Sequence, residues 1–125
     1  MWLFTIHGFY SISVLNGSTH IRARDRQHLI ALLKRFSHLK QAVVFMPECD
    51  YHFRITMLQE VWVKIAAELA SEQNWTNFKN EVDRVGSDQD YVHALYEIWG
   101  VMHRLQGKRA RSDVNKTIYR RSRMS

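Results

Sequence analysis

The side chains best suited to do chemistry in this 125-residue sequence are cationic. Arg22 and Arg24 alternate in His20-Ile21-Arg22-Ala23-Arg24, and His52 and Arg54 alternate in Tyr51-His52-Phe53-Arg54. At a two-residue period each set projects from one side of its strand, and neighbouring strands would join them into a patch of guanidinium groups. A guanidinium presents a planar fork of donors that matches phosphate oxygens, so the chemistry on offer is anion recognition. Arg26, two residues beyond Arg24, extends the patch.

A second store of positive charge lies at the end of the chain. Lys108, Arg109, Arg111, Lys116, Arg120, Arg121 and Arg123 face Asp113 alone, whereas residues 1–106 hold 11 basic and 11 acidic side chains. The formal charge of +6 therefore belongs to the terminal segment and not to the body of the protein. Together, Arg22, Arg24, Arg26, Arg54 and the seven terminal cations form the candidate nucleic-acid-binding set. The partner expected of them is DNA or RNA, held chiefly through its phosphates. The alternative is a protein-interaction or inhibitory module that docks the same patch on an acidic protein surface. A second copy of the chain is a further candidate partner.

Other chemistries find less support. The seven histidines, His7, His20, His28, His38, His52, His93 and His103, show neither a His-Glu-x-x-His pattern nor Cys/His pairing. Cys49 sits between Glu48 and Asp50, whose charges disfavour a thiolate, and a lone cysteine excludes an intramolecular disulfide. Glu48, Asp50 and His52 form the best local acid–base cluster, but a divalent-ion nuclease needs carboxylates from distant segments as well. The five glycines make no phosphate-cradling loop. No catalytic residue, cofactor or metal ligand is assigned. No apolar run reaches the ~20 residues that span a bilayer, and the first residues lack a basic leader, so a cytoplasmic protein is expected.

The elements that must position these groups follow from periodicity. With 46% hydrophobic residues the chain can bury a core. Residues 2–15 read as one long strand bent at Gly8, with Trp2, Phe4, Ile6, Tyr10, Ile12 and Val14 on one face. Asn16-Gly17 is a type I′ turn signal, and 18–24 reads as the returning strand. Asp25 caps a helix carrying Leu29, Leu32, Leu33 and Phe36. Residues 42–46 and 51–57 suggest a second hairpin, with Tyr51, Phe53, Ile55 and Met57 inward. Thr56 and Gln59 fit a capping box before a helix bearing Val61, Trp62, Ile65 and Leu69. A short helix follows Asn74–Phe78. Ser87 or Asp88 caps the last helix, which runs to Gln106, packs its Tyr91, Leu95, Ile98, Met102 and Leu105 side on the body, and stops at Gly107.

The order ββαββααα predicts an α+β fold: about four strands in an antiparallel or mixed sheet, helices packed on one face, the other face partly solvated. Residues 1–106 form a single α+β domain and 107–125 a basic tail, mobile or ordered only on binding.

Two stretches resemble a family of small bacterial and phage-borne proteins with no assigned activity. One is Met1-Trp2-Leu3-Phe4-Thr5-Ile6-His7-Gly8-Phe9-Tyr10-Ser11 followed by Ile21-Arg22-Ala23-Arg24; the other is Trp75-Thr76-Asn77-Phe78-Lys79 followed by Tyr91 and Trp99-Gly100-Val101-Met102-His103-Arg104-Leu105-Gln106. The resemblance spans roughly residues 1–106 and implies a soluble intracellular protein of a bacterium or its mobile elements.

Overall fold

The segment from Trp2 to Leu15 folds as two strands. In the structure, a computed structural model that describes residues 1–86 and 88–124, β1 spans Trp2–Thr5 and β2 spans Gly8–Leu15, paired antiparallel with Thr5 opposite Gly8. Thr5 ties the reversal: its hydroxyl accepts from the His7 N–H (3.0 Å) and the Gly8 N–H (3.1 Å) and donates to the Gly8 carbonyl (3.0 Å). Gly8 has φ +151°, and a Cβ there would lie 2.3 Å from His28 Cγ. Only glycine suits that conformation and that approach. Strand alternation alone cannot reveal this, because apolar residues line both sides of the reversal.

The second reversal is the expected one. Asn16 (φ 52°) and Gly17 (φ 77°) both take positive φ, as a type I′ turn requires, and deliver β3 (Ser18–Ala23) against β2. Asp25 then caps α1 (Arg26–Arg35), its Oδ1 accepting from the Gln27 N–H at 2.9 Å. A two-residue β4 (Val44–Phe45) pairs antiparallel with β5 (Phe53–Leu58), which also pairs with β3. The five strands lie in the order β1-β2-β3-β5-β4, an antiparallel sheet with one strand more than periodicity suggests.

The expected capping box at Thr56 is not formed. Thr56 lies inside β5, its N–H donating to Gln41 Oε1 at 3.1 Å, and α2 (Gln59–Ser71) starts after Leu58 with no side-chain cap. The strand ladder claims residues 56–58 before the helix can.

One face of the sheet carries Tyr10, Ile12, Ile21, Ala23, Ile55 and Met57. It packs with Leu29, Leu32 and Phe36 of the α1 segment and with Trp62, Ile65 and Leu69 of α2. The Tyr10 hydroxyl donates to the His28 carbonyl at 2.6 Å, satisfying its polar end. Thr19 shares this buried face, fully enclosed, and its hydroxyl has no hydrogen-bond partner among the described residues. Thr19→Val keeps the β-branched shape and removes the orphaned hydroxyl, so a gain of about 1 kcal/mol is expected. A urea midpoint that stays put or falls in this variant contradicts the assignment.

The chain clusters into two compact units, Met1–Phe78 and the residues from Lys79 on. The second holds nearly all of α3 (Phe78–Val85) and all of α4 (Gln89–Met124). Asp88 Oδ1 accepts from the Tyr91 N–H at 3.1 Å, as a helix cap does; Ser87, the other expected cap, lies outside the described residues. Gly107 does not end α4, which continues for 17 further residues to Met124. An interior glycine costs a helix only about 1 kcal/mol, and the Lys, Arg and Ala that follow are good helix formers. The expected apolar stripe is buried at Tyr91 and Leu95, while Ile98, Met102 and Leu105 are exposed. No helix of the described residues is long and apolar enough to cross a membrane.

Candidate nucleic-acid interface

Residues directly opposite in an antiparallel ladder share a face, so the register locates the cationic side chains. Trp2 lies opposite Ser11, Ser11 opposite Arg22, Arg22 opposite Arg54 and Arg54 opposite Val44. This row crosses all five strands on the face away from Tyr10 and Ile12. A second row sets Ser13, His20 and Thr56 beside it, and Phe4 lies opposite Phe9 at the β1–β2 end. Arg22 and Arg54 thus meet on the open face as their spacing predicts.

Each arginine is held differently. Arg22 lies along the sheet, donating from Nη2 to Ser11 Oγ (2.7 Å) and from Nε to the Ser11 carbonyl (3.4 Å). Arg24 forks onto Asp50, Nη1 to Oδ1 at 3.2 Å and Nη2 to Oδ2 at 3.3 Å, with a further bond from Nη1 to the Asp50 carbonyl. That hydrogen bond, ahead of the plain attraction between the charges, holds the Asp50 carboxyl below its usual range and raises the Arg24 guanidinium. Because the folded carboxyl is the stronger acid, the pair's contribution is present above the ordinary aspartate range and is lost as pH falls through the lowered value. Both groups are well exposed, so that contribution is small.

Arg54 has no such anchor. Its Nε is buried and has no partner among the described residues, and the same holds for His20 Nδ1 in the adjoining row. Like charges directly opposite on neighbouring strands destabilise a sheet, so the Arg22–Arg54 pair is a local cost. An anion seated over both guanidiniums reverses the sign of that term.

Aromatic rings continue the patch, a feature that alternation misassigns. The residues before β5 leave the strand period, so Tyr51 does not follow Phe53 and Ile55 inward. Its ring, though buried, lies 4.9 Å from the Arg22 guanidinium and 4.1 Å from that of Arg24, both cation–π distances. Phe9 is 6.4 Å from Tyr51, stacks on Phe4 at 4.5 Å and meets Trp2 edge-on at 5.7 Å. Trp2 itself is 69% exposed. A single strand through residues 2–15 would have put Trp2 and Phe4 beside Tyr10; the reversal at Ile6-His7 moves them to the other face. The sequence signals for it are Gly8 and Thr5, the latter two and three residues before the N–H groups that it binds.

Two predicted members fall outside this group. His52 precedes β5 and sets its ring edge-on to Phe45 (6.1 Å) and Phe53 (6.2 Å), away from the row of Arg54. Arg26 is exposed at the first residue of α1, off the sheet face. The terminal cations Lys108, Arg109, Arg111, Lys116, Arg120, Arg121 and Arg123 are all exposed on α4. Helical geometry aligns Arg109, Lys116, Arg120 and Arg123 on one side, at spacings of seven, four and three residues. Arg123 also lies 5.1 Å over the Tyr119 ring.

Comparison with models of protein families, with curated proteins and with solved structures returns no match to this chain.

Proposed function

We propose that the protein associates with nucleic acid, using the open sheet face as a rigid phosphate seat and the basic side of α4 as a second, independent source of attraction. The observation that carries this reading is the Arg22–Arg54 pair: two arginines directly opposite on the open face, the Nε of one buried without a partner among the described residues. Side chains on adjacent strands hold such a seat more firmly than loop residues can. Contacts of this kind orient a backbone and do not read bases.

The full chain, titrated with DNA, RNA and a neutral polymer at several salt concentrations, tests the reading. Association should weaken steeply with salt, because neutralised phosphates release their counterions. Replacing Arg22, Arg24 and Arg54 together with Gln should cost roughly tenfold or more in affinity at low salt, since charge-assisted hydrogen bonds are the strong ones. Absence of binding to either nucleic acid at low salt defeats the proposal. Equal competition by polyglutamate would transfer the patch to an acidic protein partner.

A further inference from the structure

We propose that the ligand of the open face is a single strand, ribo- or deoxyribonucleic, that stacks a base on Trp2 while its backbone crosses toward Arg22 and Arg54. This rests on the nucleic-acid reading and adds the strandedness of the ligand. Trp2 is the largest apolar side chain in the row, and it is 69% exposed on an edge strand. It is also supported: Phe9 braces it edge-on, and Phe9 is itself stacked on Phe4 and leans toward Tyr51. The result is a cluster of four rings about Phe9, from which the Trp2 indole faces solvent.

A duplex hides the faces of its bases and offers only their edges within grooves, so exposed rings on a sheet gain little from it. An unpaired base offers its whole face, and stacking on an aromatic side chain is favourable for every base. The register adds direction. Between Trp2 and Arg22 stands Ser11, 3% exposed and small, with its hydroxyl already bonded to Arg22. Neighbouring strands lie about 4.8 Å apart, so the backbones of Trp2 and Arg22 are separated by roughly 10 Å, and the Arg22 side chain reaches back across that gap to Ser11. Base platform and phosphate seat therefore share one row across β1, β2, β3 and β5, with the first guanidinium lying over Ser11.

Binding of the full chain to oligo-dT, oligo-U and a hairpin duplex of matched charge, at one fixed salt concentration, is the test. Both single strands should bind about tenfold or more tightly than the duplex. Trp2→Ala should remove about tenfold of single-strand affinity and leave duplex affinity unchanged. Trp2→Leu keeps an apolar side chain against Phe9 without the π face, and should lose as much as Trp2→Ala, with thermal melts matching the parent. The ratio of oligo-dT to oligo-U affinity distinguishes the two chemical sources of a single strand. Duplex bound as tightly as single strand, or single-strand affinity untouched in both Trp2 variants, overturns this inference while leaving nucleic-acid association standing. No binding of any of the three probes overturns the function itself.

Discussion

Gly8→Ala is expected to destabilise the sheet by roughly 3 kcal/mol or more, several times the loss from Gly17→Ala. At Gly8, φ is +151°, and the new Cβ would stand 2.3 Å from His28 Cγ and 2.5 Å from His28 Cβ. The backbone strain of a side chain in that region is about 1–3 kcal/mol, and forced displacement of a packed neighbour adds about 1–3 kcal/mol. Moving His28 also disturbs its Nδ1, which accepts the Phe9 N–H at 3.2 Å. Gly17 has φ +77°, but a Cβ there meets nothing within 4 Å, so only the local backbone cost of about 1 kcal/mol applies. Urea midpoints of the two variants, measured side by side, check this. Equal losses would mean that His28 yields freely and that the β1–β2 reversal does not depend on close packing.

This contrast marks where local sequence information runs out. Asn16-Gly17 is legible because its conformational demand is met within the turn by residue types that tolerate positive φ. Asp25 is legible for the same reason, since its cap bond reaches only to residue 27. Gly8 differs: what makes glycine necessary is a histidine twenty positions later, and nothing local announces it. The same holds for Tyr51, whose side of the sheet is decided by a bend before β5 and by the guanidiniums of Arg22 and Arg24. Thr56 is a case of two local signals in conflict, cap against strand, settled by pairing with β3. The core face of β2, β3 and β5 was legible throughout, because burial imposes a strict two-residue period there.

The open face is where the molecule accepts local disadvantage. Among the described residues, the buried side leaves the Thr19 hydroxyl without a partner, whereas the other side opposes two arginines, leaves polar nitrogens of His20 and Arg54 without partners and exposes an indole. None of these aids folding. Concentrated on one face of a sheet that is otherwise consistent, they are what the proposed binding role requires of that face.

Neutralising the basic side of α4 should produce the largest change in binding. Replacing Lys108, Arg109, Arg111, Lys116, Arg120, Arg121 and Arg123 with Gln removes seven exposed charges and keeps residues of good helix propensity, so α4 should persist by circular dichroism. Each phosphate neutralised contributes about 0.7 to the slope of log affinity against log salt for single strands. If the four aligned cations Arg109, Lys116, Arg120 and Arg123 all reach phosphates, the slope should fall by about 3, and affinity near 50 mM salt by roughly a hundredfold or more. The substitution of Arg22, Arg24 and Arg54 should lower the slope less, by about 2, yet abolish more of the preference for single strands, because those charges adjoin the stacking platform. On the proposed function the two sets should therefore separate by signature, one changing how strongly salt opposes binding and the other which form of nucleic acid is preferred. A slope unchanged by the sevenfold substitution would assign the whole interaction to the sheet, with α4 contributing nothing to it.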